Sequence, residues 1–404
     1  MRIGYPEDVL RGMRPGQRVY FQGGPGECEA FYNLLRNNPG LANGVELWSC
    51  LIPGINQLDY GSLPGDVTLT TFMASTVLEP SIASGRTRLT PMPYSEIAEV
   101  MADMEFDLVI LHVAPADRAG NCSFGIACDM GPLVWRKAGK RAAFVNRQMP
   151  SLEHAMSIPL EAIDLVVEID APLLMAAPAK PRSNAAVVEI SRLVSELVPD
   201  GATIQAGIGD TPAAAMGALK LHRGLCVHSG IITPEYRQLC DAGVIDPARE
   251  NVTGVAWGDA EFYKWLPHSG FHFRPASETH NHALLAAIDG FVSIGSALEV
   301  DLEGALNLEW RAGRRVSSVG GAPDYMRAAA SSRGGISIIA LQATGGGASR
   351  IVPRLAAPSI PADLADIIVT EHGVARLKGL SPRARASAII AIAAPEHRGY
   401  LSRG

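Results

Sequence analysis

One short pattern occurs twice in this chain, and the two copies constrain what it can fold into. Gln22-Gly23-Gly24-Pro25-Gly26-Glu27 and Gln205-Ala206-Gly207-Ile208-Gly209-Asp210 lie 183 residues apart. Each follows a short apolar run and precedes an apolar helical stretch. A second pair of landmarks, Asp117-Arg118-Ala119-Gly120 and Asp301-Leu302-Glu303-Gly304, lies 184 residues apart, each again after an apolar strand. Two unrelated landmarks at almost one spacing point to two copies of a single plan. In both halves strands alternate with helical segments, as in a parallel α/β sheet. The first half offers Arg18–Gln22, Val45–Ser49, Val67–Phe72, Leu108–Val113, Ala142–Val145 and Ala162–Glu168 as strands, with helices over Cys28–Leu35 and Tyr94–Met104. The expected fold class is α/β: two similar open α/β domains made by internal duplication, with the active cleft between them, where small ligands commonly bind.

The halves meet at Ala171–Ala186, which carries three prolines among small and basic residues and reads as a linker. The expected domains are therefore 1–178 and 186–404, the second opening on a helix over Val187–Leu197. A chain of 404 residues with 47% apolar content can build a large core in each. The 41 glycines and 28 prolines agree with many tight turns between short elements. A net charge of −6 offers no footprint for nucleic acid, and Arg311–Arg315 reads as a solvated turn. The six cysteines, Cys28, Cys50, Cys122, Cys128, Cys226 and Cys240, form no C-x-x-C pair and show no metal-ligand spacing, so no metal is expected and a reducing, cytoplasmic setting is. No signal-peptide h-region is visible at the start. No apolar run approaches the ~18 residues of a membrane span, the richest being Ala386–Ala394.

The second copy of the pattern carries the chemistry. A strand (Ala202, Ile204, Ala206) runs into Gly207-Ile208-Gly209, then into a helix with Pro212 in its first turn. Strand, glycine turn and helix N-terminus aim backbone N–H groups at an anion or a developing oxyanion. Many α/β turns need glycine for geometry alone, so this pattern by itself leaves both readings open.

Further motifs follow in series: DLVILHVAPADRAGNCSFG at 107–125, IQAGIG at 204–209, SIGSALEVDLEGALN at 293–307, SVGGAPDYMR at 318–327, SIIALQAT at 337–344, SRIVP at 349–353 and DIIVTEHGVARLKG at 366–379. With these the chain resembles the acetyl-CoA hydrolase/transferase family, the group that includes 4-hydroxybutyrate and acetate CoA-transferases, over nearly its whole length. The resemblance implies a CoA-transferase-like fold, coenzyme A as part of an acyl-CoA substrate, a second small substrate and a possible homodimer. It implies covalent catalysis: a glutamate attacks the thioester, an acyl-glutamyl anhydride gives way to a glutamyl-CoA thioester, and an incoming carboxylate completes the exchange. The family's oxyanion donors match the backbone of Ala206, Gly207, Gly320 and Gly321. Gly209, Gly320 and Arg350 match positions on the cofactor side, Arg350 as a partner for a phosphate or carboxylate, or else in a surface or interdomain salt bridge. Arg327 is a similar candidate.

The resemblance breaks at the reaction centre. The family's nucleophile position falls in Val227-His228-Ser229-Gly230-Ile231, and Gly230 stands where the glutamate belongs. Gly295 replaces an asparagine and Ala322 a glutamine of the family pattern. Three polar side chains are thus exchanged for Gly230, Gly295 and Ala322, which implies a roomier, less polar pocket. Glu371 matches a family glutamate near the site; its alternative role is a capping or domain-interface carboxylate. His228 shares a strand face with Gly230 and is a candidate base toward water, or else a core histidine. Cys226 is a candidate thiol partner for it, or else a buried inert cysteine. Asp301 and Glu299 read as turn and strand-end hydrogen bonders, and Glu235 as a helix-start carboxylate. His272, His280 and His282 crowd one segment, too few for a metal site without another ligand. Phe262, Tyr263 and Trp265 read as core or as a substrate wall. The expected activity is processing of an acyl-CoA at its thioester carbonyl without the usual glutamate, by hydrolysis or by acyl transfer to a bound second substrate. The alternatives are a conventional acyl-CoA:carboxylate CoA-transferase and a non-catalytic acyl-CoA-binding protein. No nucleic-acid or membrane partner is expected.

Overall fold

The computed structural model describes residues 2–177 and 184–403, so the middle of the expected linker, 178–183, lies outside the described residues. Two compact units are present. The first comprises Met1–Pro178 with Val252–Thr279, and the second Ala179–Asn251 with His280–Gly404. The expected second domain, 186–404, contained 252–279; that segment belongs instead to the first unit. The reason is backbone pairing that sequence patterning does not reveal. Cys128 N–H donates to Gly254 O at 2.9 Å, Ala256 N–H to Ile126 O at 2.9 Å, and the Tyr263 hydroxyl to Leu174 O at 2.8 Å.

The first unit is built on β1 (Arg18–Phe21), β2 (Val45–Trp48), β3 (Val67–Thr71), β4 (Leu108–Val113), β5 (Lys140–Asn146) and β6 (Leu165–Ile169). They pair in parallel in the order β6-β5-β4-β1-β2-β3, extended at the two edges by Arg2–Ile3 and Thr87–Leu89. All six residues of β4 are buried, as expected for a parallel strand covered on both faces. The helix α1 (Glu29–Asn37) buries Phe31, Leu34 and Leu35, the i, i+3, i+4 stripe, in a core with Phe21, Tyr60 and Phe144.

The second unit uses β7 (Thr203–Ala206), α2 (Asp210–Ala218), β8 (Cys226–Ile232), β9 (Phe291–Gly295), α3 (Ala322–Ser331), β10 (Ile336–Ala340) and β11 (Ile367–Thr370). Its strands run β8-β7-β9-β10-β11, all parallel, closed by the antiparallel Gly373–Arg376. The first unit has the same order, β2-β1-β4-β5-β6, so the internal duplication seen in the sequence is a duplication of topology.

The second landmark pair repeats down to its hydrogen bonds. Asp117 Oδ1 accepts the N–H groups of Ala119 and Asn121, each at 2.9 Å, and Gly120 N–H returns to Asp117 O. Asp301 Oδ1 accepts those of Glu303, Gly304 and Ala305 at 3.0, 3.0 and 2.9 Å, and Gly304 N–H returns to Asp301 O. Gly120 and Gly304 hold φ of 83° and 97°, the left-handed region glycine enters at least cost. Asp301 is buried and Asp117 exposed. Losing a buried acceptor of three N–H groups leaves those donors dry. Asp301→Ala is therefore expected to destabilise the protein by about 2 kcal/mol and Asp117→Ala by less than about 1 kcal/mol. Urea unfolding of the two variants checks this ranking.

Candidate active site

The sheet of the second unit collects the candidate residues. Its strands are parallel, so β7, β9 and β11 end on one edge, at Gly207, Gly295 and Glu371, and β8 carries Gly230 toward that same edge. The carboxyl edge of such a sheet is where α/β folds place their ligands. Glycine, half-buried at 207, 230, 295 and 321, leaves the backbone bare there.

The proposed oxyanion donors differ in availability. Ala206 N–H donates to the Tyr236 hydroxyl at 3.0 Å, and Gly207 N–H to Ile294 O at 2.9 Å. Both are committed within the fold. Tyr236 is buried, its hydroxyl pushed up to about 12 by desolvation, and it reaches Ser229 Oγ at 3.4 Å. Gly320, at φ 56°, and Gly321 lead into α3, with Ala322 its first residue and Pro323 inside the first turn, so the helix N-terminus faces this edge. Gly209 is the residue before α2.

The volume beside Gly230 is filled. A Cβ at position 230 would lie 2.6 Å from His280 Cε1, 2.9 Å from His280 Nε2 and 2.8 Å from the Tyr325 hydroxyl oxygen. A Cβ at position 321 would lie 2.5 Å from His280 Nε2 and 2.7 Å from its Cδ2. The His280 ring is thus lodged between two glycines and packs on Tyr325, ring centroids 4.8 Å apart. His280 is buried, and desolvation first, then the neighbouring His228, bring it down to about 3, so the ring is neutral at ordinary pH. The Tyr325 hydroxyl is buried beside the Gly230 backbone. The expected roomy pocket is therefore occupied on this side by an imidazole and a phenol. Sequence reasoning gave His280 weight only as a poor metal ligand and did not single out Tyr325. The available signal was volume: a glycine inside a packed unit leaves space that a neighbouring side chain fills.

The other expected residues sit as follows. His228 is half-buried on the Gly230 face of β8, while Ser229 points the other way, fully buried. Cys226 Sγ contacts Glu250 O at 3.4 Å and its thiol is pushed up by burial, away from nucleophilic thiolate. Glu371 Oε2 accepts Ala343 N–H at 2.9 Å and Glu299 Oε2 accepts from Asn307 at 2.7 Å. Glu235 Oε2 accepts from Thr233 Oγ1 at 2.5 Å at a helix start. Gly295 faces Ile339, whose Cδ1 lies 3.1 Å from where its Cβ would be. Arg350 folds over the Gly345 backbone in a short hairpin and is half-buried. Arg327 is exposed on α3. His272 stacks on His154 in the first unit, centroids 4.5 Å apart, whereas His280 belongs to the second. His282 opens a helix capped by Asn281. Among the described residues no group of three or more His, Cys, Asp or Glu is placed to hold a metal ion, and no helix is long and apolar enough to cross a membrane.

The first unit contains a carboxyl that pattern reading missed. Glu27 ends the first glycine turn and is buried, with Asn56 and Tyr60 beside its carboxyl. Burial pushes it from 4.5 up to about 7, against a smaller downward pull from Asn56 and Tyr60. Nearby, Cys28, Ala30, Asn33, His112 and Pro172 line a cavity of about 260 Å³. His112 is held neutral by burial, at about 4, with Nδ1 toward Gly26 O at 3.2 Å and Nε2 toward the Asn146 amide at 3.0 Å.

Comparison with known proteins agrees with this architecture. The family described as acetyl-CoA hydrolase/transferase C-terminal domain matches residues 258–404. The 4-hydroxybutyrate coenzyme A transferase of Clostridium kluyveri is 31% identical over 414 residues, covering 98% of this chain and 95% of that protein. The crystal structure of RipA from Yersinia pestis superposes with a TM-score of 0.90 at 28% identity, covering 99% of this chain and 96% of that one. A 4-hydroxybutyrate CoA-transferase from Porphyromonas gingivalis superposes with a TM-score of 0.82 at 28% identity, covering 100% and 96%.

Glu27 makes a pH prediction. Its folded pKa lies above the unfolded value, so the stability it preserves is complete below pH 4.5 and is lost as pH rises through about 7. Glu27→Gln removes the charge that must be buried at high pH. The variant is expected to gain up to about 3 kcal/mol over the parent at pH 8 and little at pH 4.5, read by thermal melts across that range.

Proposed function

Because the chain belongs to the acetyl-CoA hydrolase/transferase family, we propose that it is an enzyme acting on an acyl-CoA at the thioester carbonyl without a glutamate nucleophile. The acyl group goes to water or to a second small substrate bound beside the thioester. The observation that carries this reading is the exclusion at position 230. Gly230 brings no carboxylate, and His280 with Tyr325 takes up the space a side chain there would need. An anhydride needs a carboxylate within reach of the thioester carbon. Glu371 and Glu235, the acids the sequence offered, are held on Ala343 N–H and Thr233 Oγ1. What remains is proximity and stabilisation of the oxyanion at the N-terminus of α3, which Gly320 and Gly321 lead into.

The reading predicts free thiol from one or more acyl-CoAs mixed with the protein in the absence of acetate or any other acceptor, followed by thiol titration and mass spectrometry. Acyl transfer appears as a new acylated product when an amine or carboxylate acceptor is added. Acetyl-CoA formed only when acetate is present identifies a conventional transferase. Binding without turnover of any acyl-CoA identifies a non-catalytic binder.

Restoring the nucleophile gives a second expectation. Gly230→Glu alone is not expected to create transferase activity, because its Cβ overlaps the His280 ring. Gly230→Glu combined with His280→Ala and Tyr325→Phe removes all three contacts and is expected to raise acetate-dependent CoA exchange at least tenfold over the single variant. Equal exchange by the two variants counts against the steric account.

A further inference from the structure

The arginine-rich segment that the sequence offered as a solvated turn is a built hairpin. Trp310–Arg311 and Arg314–Arg315 pair antiparallel, Trp310 opposite Arg315 and Arg311 opposite Arg314. The turn between them is left-handed at both central residues, Ala312 at φ 50° and Gly313 at φ 75°, which fixes that register. The base is anchored in the second unit. The buried Asn307 amide donates to Trp310 O at 2.8 Å and to Glu299 Oε2 at 2.7 Å, and its oxygen accepts Trp310 N–H at 2.8 Å. Buried Glu309 accepts two bonds from the Arg315 guanidinium, at 2.9 and 2.5 Å, and that guanidinium lies 5.5 Å from the centre of the Trp310 ring. Trp310 and Arg315 thus brace one face. The alternation of a strand puts Arg311 and Arg314 together on the other, both exposed. Like charges placed directly across two strands repel. The exposed Arg192 and Arg333 are each held by carboxylates, whereas Arg311 has none among the described residues. From Trp310 to Pro323 the chain carries three arginines and no acid, against a net charge of −6 for the whole. The hairpin belongs to the connection that runs from the carboxyl end of β9 into α3. Five residue steps take Arg315 to Gly320, at most ~18 Å of extended chain.

We infer that Arg311 and Arg314 form a clasp for a phosphate monoester, and that the group it takes is the 3′-phosphate of coenzyme A. The inference rests on the reading of the chain as an acyl-CoA enzyme and adds where the nucleotide end of that substrate is held. A phosphate monoester carries a charge of about −1.5 to −2 at neutral pH and three acceptor oxygens. It therefore answers two facing guanidiniums in charge and in hydrogen bonding. A carboxylate brings one charge and leaves half of the repulsion in place. A guanidinium has five N–H donors, so a neighbour bonded to either arginine leaves donors for the phosphate. The geometry of the ligand also fits. In CoA the 3′-phosphate lies at the far end from the thioester, with the pantetheine arm between them. Here the half-buried Gly320 and Gly321 at the α3 N-terminus and the exposed arginines are separated by a comparable reach. Water and salt weaken each contact on so exposed a hairpin. Two arginines on one anion, held by a base already braced through Asn307 and Glu309, offset that loss because little has to be ordered on binding.

The test is isothermal titration calorimetry of the full chain with CoA and with dephospho-CoA, which lacks only the 3′-phosphate. The unaltered protein is expected to bind CoA at least ~5-fold more tightly than dephospho-CoA at low salt, with the gap narrowing as salt rises. Arg311→Gln combined with Arg314→Gln is expected to lose that preference and bind the two ligands alike, with affinity for dephospho-CoA kept within about twofold. Arg311→Gln alone leaves Arg314 and its contacts in place and is expected to narrow the preference to about twofold. The single variant decides the matter if the double variant does not fold by circular dichroism. Equal binding of CoA and dephospho-CoA by the unaltered protein overturns the clasp while leaving acyl-CoA as the substrate. An undiminished preference for CoA in the folded double variant, or in the single variant where only that one folds, does the same. An unaltered protein that binds neither CoA, dephospho-CoA nor any acyl-CoA overturns the functional reading and this inference with it.

Discussion

The chemistry proposed for this chain depends on one exclusion: the His280 ring and a side chain at position 230 cannot occupy the same place. The missing Cβ would lie well inside contact distance of three heavy atoms, two of them in the imidazole. Protein interiors are packed too closely for such an overlap to be absorbed without moving α3 or β8. Glycine at 230, glycine at 321, histidine at 280 and tyrosine at 325 therefore stand or fall as one set. A substitution at any one of them changes what the other three touch.

The scaffold explains why so local a set is held so firmly. Both units use one strand order, and in the second the parallel strands deliver Gly207, Gly295 and Glu371 to a common edge. Asp301 ties the turn after β9 with three N–H bonds, so the segment following Gly295 is fixed by a buried carboxylate. That carboxylate, like Glu371 on Ala343, is committed to backbone donors and does structural work. The polar side chains packed beside Gly230 are an imidazole and a phenol.

Much of this was legible in the sequence. The paired landmarks 183 and 184 residues apart reported the duplication, and the structure repeats it in strand order and in the Asp117 and Asp301 turns. Apolar runs located β1, β4 and β7 to within a residue or so. Gly230, Gly295 and Ala322 were read as departures from the motifs that the chain resembles. The refilling was not: His280 lies fifty residues from Gly230 in the chain, and no periodicity links them. The commitment of Ala206 and Gly207 to Tyr236 and Ile294 was equally silent, since a strand-to-turn pattern does not say which N–H groups already have partners. Val252–Thr279 joined the first unit through backbone pairs such as Cys128 to Gly254, which leave no mark on composition.

The central claim is that a thioester is opened here with no covalent link between substrate and protein. Intact-protein mass spectrometry on samples acid-quenched during turnover tests it most directly. The account predicts that the protein mass stays that of the unmodified chain at every time point while free CoA accumulates. A transient gain equal to the acyl group or to CoA, mapped to a carboxylate such as Glu371 or Glu235, would contradict it.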